Sequence, residues 1–255
     1  MGNVQRYFIP SNNWHDQDVI IKGQDAHHLI RVLRSHIGDQ VICNNTDGKA
    51  AICAINAIAD KEVQLKVKEW LTEDNELPIH VTIAQGLPKG DKIDFVLQKG
   101  TELGAHAFIP FSSKRSVVKW DDKKSRKKHE RFSRIVKEAS EQSHRNRIPK
   151  VYLPMNLNEL LKISQSFDIK IFAYEEEAKV EKYHSFSTIV KKLKKDQSLL
   201  LCIGPEGGFA EEEVALLKKN GFTPVRLGPR ILRTETAALY ALASLSYQFE
   251  ELGCF

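Results

Sequence analysis

Two short segments near the carboxyl terminus combine glycines with charged side chains in a pattern that suits a ligand site. They are Ile203–Phe209, which reads IGPEGGF, and Leu227–Ala238, which reads LGPRILRTETAA. Each follows a short apolar run typical of a strand and leads into a pattern typical of a helix. Glycine lets the backbone adopt positive φ and approach a ligand closely. Two such loops side by side would form a pocket walled by backbone, with Glu206, Arg233 and Glu235 as a reactive polar rim.

The first loop does not match the common phosphate-binding motifs. It lacks the Lys-Ser/Thr ending of a P-loop, and it lacks the G-x-G-x-x-G spacing of a dinucleotide fingerprint. A carboxylate inside the loop, Glu206, would repel a phosphate. The sequence therefore favours a cationic or uncharged ligand.

The elements that must position these loops alternate between strand and helix after Pro78, which predicts a parallel sheet covered by helices in an α/β fold. The predicted strands are His80–Ala84, Ala107–Pro110, Ile169–Tyr174, Leu199–Ile203 and Val225–Leu227. The predicted helices are Lys92–Leu103, Lys123–Gln142, Leu157–Gln165, Ala210–Asn220 and Thr234–Glu251. The last helix is apolar nearly all round, which predicts burial in the core or in a subunit interface.

Residues 1–72 instead read as a small β-rich unit, with a helix from about Asp25 to Leu33. The predicted strands are Arg6–Ile9, Val19–Ile21, Gln40–Asn44, Ala50–Ile58 and Val63–Trp70. Several short strands in so short a stretch suggest a small barrel. We therefore expect a β-barrel domain over residues 1–72 and an α/β domain over residues 73–255.

Positive charge is concentrated in one stretch of the chain. Residues 114–150 hold 14 Lys/Arg against 5 Asp/Glu, a local excess of +9, while the whole chain carries +5. This is the electrostatic pattern of a nucleic-acid partner, although a solvated helix face is the alternative interpretation.

Other features limit where the protein acts. The four cysteines form no C-x-x-C pair, so we expect reduced thiols and no metal site. The amino terminus lacks the apolar core of a secretory signal, and no apolar run approaches the ~20 residues of a membrane span. These features predict a cytoplasmic protein without a membrane partner.

Taken together, the two loops resemble the S-adenosylmethionine site of the SPOUT methyltransferases. They are similar to the RsmE branch, whose members methylate N3 of a uridine in 16S ribosomal RNA of the small subunit. Other segments that carry the resemblance are Arg6–Phe8, His28–Arg34, Gln98–Gly104, Arg115–Val118 and Glu138–Ser143, with Arg145 and Pro149. The resemblance extends over essentially the whole chain.

The resemblance implies a PUA-like barrel, an α/β domain with a carboxyl-terminal trefoil knot, and a homodimer that binds 16S rRNA or the small subunit. It implies that S-adenosylmethionine is held by Ala173, Tyr174, Glu175, Leu201, Ile203, Gly204, Pro205, Gly208, Leu227 and Leu232. Arg233, Glu235 and Glu206 become the candidate catalytic residues. The RNA-binding candidates are Arg6, Arg31, Arg34, Arg115, Lys119 and Arg145.

Three other interpretations remain open at this point. A SPOUT enzyme could instead methylate a ribose 2′-oxygen, but this chain lacks the early asparagine motif of those relatives and has Leu232–Glu235 where they carry Ser-Leu-Asn. The chain could also be an RNA-binding module without activity. Finally, Glu235 could only stabilise a helix start and Arg233 could only pair with Glu206.

Overall fold

The computed structural model describes residues 4–118, 120–174 and 185–253. They divide into two compact units. The first contains the chain up to Glu76 together with Ser140–Ile148, and the second contains Leu77–Ala139 and the chain from Pro149 onward. The domain boundary predicted from the sequence lies after residue 72, and nothing in the sequence indicates that Ser140–Ile148 joins the first unit.

The first unit is built on a curled six-stranded sheet. Its strands are β1 (Arg6–Phe8), β2 (Trp14–His15), β3 (Asp18–Lys22), β4 (Gln40–Asn44), β5 (Ala50–Ile58) and β6 (Glu62–Leu71). The order is β1-β4-β5-β6-β3-β2, and only the β1–β4 pair is parallel. Two register shifts between β5 and β6 are irregularities of the kind that bend a sheet.

A short helical segment packs against this sheet. It begins as helix α1 (Gly23–His27) and continues as a π-helix over His28–Val32, where a single helix from about Asp25 to Leu33 was expected. Leu29 of this segment is fully buried against strand residues such as Ile21 and Leu65.

A buried polar network ties Ser140–Ile148 into the first unit. The Arg6 guanidinium donates to Asn44 Oδ1 (3.2 Å) and to the Arg145 carbonyl (3.1 Å). Arg145 forms an ion pair with Glu76, which also accepts from the backbone N–H of Asn146 at 3.0 Å. Most of these buried groups satisfy one another, as polar groups removed from water tend to do, although Arg6 Nε has no hydrogen-bond partner among the described residues.

The second unit contains the parallel sheet that the sequence predicts. Its strands are β7 (His80–Gly86), β8 (Ala107–Ser112), β9 (Lys150–Val151), β10 (Met155–Asn156), β11 (Ile169–Ala173), β12 (Ser198–Ile203) and β13 (Thr223–Val225). The order is β10-β8-β7-β12-β11-β13, with β9 also pairing with β8. β13 ends at Val225, so the predicted strand Val225–Leu227 lies mostly in the following loop.

Helices cover both faces of this sheet. They are α2 (Lys92–Glu102), α3 (Asp122–Gln142), α4 (Leu157–Ile163), α5 (Phe186–Val190), α6 (Glu211–Lys219) and α7 (Thr234–Ser246), the last extended by a π-helix over Tyr247–Glu251. Neighbouring residues of β12 point to opposite faces, so Leu201 joins one apolar cluster and Cys202 the other. No sequence pattern predicted α5 or the two-residue strands, because these elements are too short to show a period.

The apolar helix α7 is buried on one side only. Ala238, Ala241, Leu242 and Leu245 are fully buried, while Tyr240 is 39% exposed. Within the described ranges, none of the helices combines the length and apolar character that a membrane crossing requires.

Candidate functional site

The two glycine-rich loops lie side by side in the second unit and enclose a cavity of about 640 Å³. It lies beyond the carboxyl ends of β11, β12 and β13, the edge at which open α/β sheets bind their ligands. Its lining consists of both loops with residues from neighbouring elements: Lys92, Arg115, Ala173, Tyr174, 203–209, Glu211, 225–234 and Ala237.

Most of the predicted cofactor residues line this cavity. They are Ala173, Tyr174, Ile203, Gly204, Pro205, Gly208, Leu227 and Leu232. Leu201 does not line it, because this residue is fully buried in the apolar core two positions earlier on β12. Glu175 lies outside the described residues.

Three glycines allow the cavity walls to come together. A Cβ on Gly86 would lie 2.6 Å from the Pro205 nitrogen, so the end of β7 meets the first loop at backbone distance. A Cβ on Gly204 would lie 3.1 Å from the Gly208 carbonyl carbon. Gly208 has a φ of +66° with nothing within 4 Å of an added Cβ. The first loop therefore needs glycine for close approach and for positive φ, as its sequence indicates.

Thr234 joins the two loops through its hydroxyl group. Its Oγ1 donates to the Gly204 carbonyl at 2.6 Å and accepts from Gln85 Nε2 at 2.7 Å. Gln85 and Thr234 are 1% and 7% exposed. The hydroxyl thus connects the end of β7, the first loop and the start of α7, and we call this arrangement the Thr234 latch.

A lysine that sequence analysis overlooked lies between the two candidate carboxylates. Lys92 Nζ is 2.8 Å from Glu206 Oε1 and 3.7 Å from Glu235 Oε2. Its pKa is raised, chiefly by the hydrogen bond to Glu206. The sequence feature that could have indicated Lys92 is its position shortly after a predicted strand. However, the order of strands is not visible in the sequence, so it could not be predicted that this strand ends beside the first loop.

The two carboxylates differ in their surroundings. Glu206 Oε1 also accepts from the Lys89 backbone N–H at 3.1 Å. Partial burial acts to raise the pKa of Glu206, but the hydrogen bonds from the Lys92 ammonium and from backbone N–H groups outweigh it, so the pKa is lowered. Glu235 is less exposed (15% against 33% for the side chains), and its Oε2 is buried with no hydrogen-bond partner among the described residues.

Two arginines complete the rim. Arg233 is exposed at the end of the second loop, close enough for its charge to act on the Lys92 ammonium. Glu206 forms its ion pair with Lys92. One interpretation of the sequence had paired Glu206 with Arg233 instead. Arg115 donates from Nη1 to the Gly207 carbonyl at 3.0 Å.

A buried carboxylate fixes the segment that carries Arg115. Glu213, 2% exposed, accepts from Ser113 Oγ, from the Lys114 backbone N–H and from the Ala210 backbone N–H, at 3.1, 2.8 and 2.9 Å. Glu213 therefore connects the loop after β8 to the start of α6.

The arginines predicted to bind RNA differ in exposure. Arg31 and Arg34 are exposed on the first unit, and Arg115 is exposed at the cavity. Arg6 and Arg145 are each 3% exposed and hold the buried network of the first unit, an arrangement that does not favour contact with a phosphate. Lys119 lies outside the described residues.

The basic segment also has an exposed face in the structure. On α3, Phe132, Val136 and Ala139 are buried, as their spacing predicts, while Lys123, Lys124, Arg126 and Lys127 are exposed. In the ranges that the structure describes, no group of three or more His, Cys, Asp or Glu side chains is arranged to hold a metal ion.

Chemically, the site combines backbone walls with a charged rim. The walls can bind a ligand through main-chain N–H and C=O groups, and the rim carries carboxylates beside cationic groups. Such a site suits a ligand with a cationic centre and a reaction in which a proton leaves.

Comparison with known proteins gives two family matches. Residues 75–246 match the RNA methyltransferase domain, and residues 21–68 match the RNA methyltransferase PUA domain. Each match lies mainly in the corresponding compact unit.

Named relatives cover nearly the whole chain. Ribosomal RNA small subunit methyltransferase E of Bacillus subtilis (strain 168) is 50% identical over 252 residues, 98% of each chain. The protein of the same name from Synechocystis is 35% identical, covering 91% of this chain and 74% of the relative. Among solved structures, ribosomal RNA small subunit methyltransferase E from Neisseria gonorrhoeae bound to S-adenosylmethionine is 30% identical, with a TM-score of 0.83 and coverage of 96% and 98%.

Proposed function

This chain belongs to the ribosomal RNA small subunit methyltransferase E family, and we propose that it transfers the methyl group of S-adenosylmethionine to N3 of a uridine in 16S rRNA. The observation that carries the proposal is the cavity of about 640 Å³ between the two glycine-rich loops. A related methyltransferase E has been solved with S-adenosylmethionine bound.

The residues present fit S-adenosylmethionine. An added Cβ at Gly208 would meet open space, so the loop leaves room for a ligand against its backbone. Main-chain groups at Tyr174, Ile203, Leu227 and Leu232 would surround the adenosine. The carboxylates at the rim suit a ligand that carries a sulfonium and an ammonium group. When bound, S-adenosylmethionine supplies an activated methyl group on a sulfonium leaving group, so the protein mainly has to align the acceptor.

The acceptor explains the charged rim. Uracil N3 carries a proton that must leave, and it pairs with adenine in a duplex, so the target uridine must be unpaired or flipped out. A rim carboxylate, Glu206 or Glu235, would take this proton directly or through water. Arg233 would stabilise the negative charge that develops on the uracil oxygens.

Exposed cations would bind the RNA backbone. We assign this role to Arg31 and Arg34 on the PUA unit and to Arg115 at the cavity. Lys119 belongs to the same proposal from its sequence position alone. Exposed Lys and Arg side chains of α3 add to the positive surface of the methyltransferase unit. The buried Arg6 and Arg145 do not belong to this set, because their guanidinium groups hold the polar network of the first unit.

We also propose the finer architecture that the resemblance implies. The curled sheet of the first unit would close as a PUA-like barrel, and the segment around the two loops would be tied in a trefoil knot. A homodimer is supported by the outward face of α7, where Thr236, Tyr240, Ala243 and Tyr247 form an exposed stripe at alternating spacings of four and three. An rRNA substrate would place the reaction in the cytoplasm.

The test of the proposed function is methylation in vitro followed by mapping. The protein is incubated with S-adenosylmethionine and either naked 16S rRNA or small subunits from cells that lack it, and the RNA is digested and analysed by mass spectrometry. We expect one new 3-methyluridine. A 2′-O-methylated nucleoside, or no added methyl group with either substrate, would contradict the proposal.

A further inference from the structure

The two rim carboxylates are held differently, and the difference separates their roles. Glu206 Oε1 receives two hydrogen bonds, from the Lys92 ammonium at 2.8 Å and from the Lys89 backbone N–H at 3.1 Å. Glu206 is therefore committed to interactions within the protein. A carboxylate so engaged is a weak proton acceptor, because its hydrogen bonds stabilise the charged form.

Glu235 Oε2 has the opposite character. This oxygen is buried and has no hydrogen-bond partner in the described part of the chain, although Lys92 Nζ lies 3.7 Å away. A buried acceptor without a donor costs free energy, so a donor that arrives with the substrate would stabilise it. Glu235 does not itself line the cavity, but it follows Thr234 in the chain and lies beside Lys92, and both of those residues line it. The charged groups around Glu235 are Lys92 of α2, Glu206 of the first loop and Arg233, which also acts on Lys92.

We propose that Glu235 is the base that accepts the N3 proton of the target uridine, and that Lys92 is a positioning residue that holds Glu206 and keeps the Glu235 carboxylate in place. This inference rests on the proposed function. The N3–H bond breaks and its proton passes to Glu235 Oε2, while the N3 electron pair forms the bond to the methyl carbon. The carbon–sulfur electron pair stays on sulfur, which leaves as a neutral thioether.

Lys92 suits a positioning role by its geometry. It is the first residue of α2 and reaches both carboxylates from a third element, so one ammonium group balances two negative charges. Without it, Glu206 and Glu235 would repel each other across the rim. The ammonium is already hydrogen-bonded to Glu206, so it is not free to act as the base itself.

The experiment compares the pH dependence of kcat for four variants on two substrates. The variants are Glu235→Gln, Glu206→Gln, Lys92→Met and Lys92→Arg, with Lys99→Met as the matched control. Lys99 pairs with Glu102 on the same helix at 2.8 Å but does not line the cavity. The substrates are the target RNA with uridine and with 5-fluorouridine, whose ring fluorine makes the N3 proton more acidic.

We expect Glu235→Gln to lower kcat by about 10²- to 10⁴-fold at neutral pH, the usual range for a lost general base. The loss should shrink at alkaline pH and with 5-fluorouridine RNA, because both ionise N3 without a base. Glu206→Gln should cause a smaller loss that neither condition rescues. Lys92→Met should lower kcat, since the cation that balances the two carboxylates is lost, and Lys92→Arg should largely restore it.

Other results would overturn the assignment. If Glu206→Gln is rescued by 5-fluorouridine and Glu235→Gln is not, Glu206 is the base. If Glu235→Gln loses S-adenosylmethionine binding in calorimetry, its role is structural. A kcat for Lys92→Met equal to that of Lys99→Met, or no restoration in Lys92→Arg, removes the positioning role. If the unaltered protein makes no 3-methyluridine, the proposed function fails and this inference fails with it, whereas a productive wild type with an unrescued Glu235→Gln refutes the inference alone.

Discussion

Replacing Thr234 by valine removes the latch hydroxyl at nearly constant side-chain volume. Two short hydrogen bonds are lost, to the Gly204 carbonyl (2.6 Å) and from Gln85 Nε2 (2.7 Å). Leaving a buried polar group without a partner costs about 1–3 kcal/mol. Gln85 Nε2 still donates to the Gly86 carbonyl at 3.2 Å, so the free-energy cost of its lost hydrogen bond falls at the low end of this range. We therefore expect Thr234→Val to lower the free energy of unfolding by about 2–4 kcal/mol.

Thr234→Ser is the matched control, because it keeps the hydroxyl and removes only a methyl group worth roughly 1 kcal/mol. At about 2–4 °C per kcal/mol for a domain of this size, Thr234→Val should melt roughly 4–16 °C lower and Thr234→Ser only about 2–4 °C lower. Calorimetric titration should show weaker S-adenosylmethionine binding for the valine variant, because the latch sets the spacing of the two loops. Equal melting temperatures for the two variants would refute this account of the latch.

Three further predictions concern the cofactor, the reaction and the RNA. Gly208→Val should abolish S-adenosylmethionine binding in calorimetry by filling the cavity. The control is Gly23→Val, at a similar φ of +65° with open surroundings, which should show the same backbone strain without the loss of binding. Arg233→Ala should lower turnover on the order of 10²–10³-fold with near-normal cofactor affinity and melting temperature, and a loss of activity in proportion to unfolding would make the residue structural. Converting Arg31 and Arg34 to glutamine should reduce the slope of log affinity for RNA against log salt by about 2, and a slope equal to wild type would exclude phosphate contacts.

Local patterns in the sequence were sufficient for much of the fold. The parallel sheet, the buried face of α3 at Phe132 and Val136, and the glycine requirement of the first loop depend on period, polarity and φ within a few residues of one another. These properties act over short distances along the chain, so the sequence by itself determined them. The family resemblance likewise depended on short motifs, above all those of the two loops.

The tertiary structure decided which distant side chains meet. Lys92 lies between Glu206 and Glu235 because β7 pairs with β12, a neighbour relation that no local pattern encodes. Arg6 and Arg31 are both arginines of the same small unit, but burial gives them different roles. The Arg6 side chain is buried in the folded unit, whereas the Arg31 side chain is exposed to solvent. Charge and residue type are written in the sequence, but the desolvation and the partner that give each charge its role arise only when segments far apart in the chain pack together.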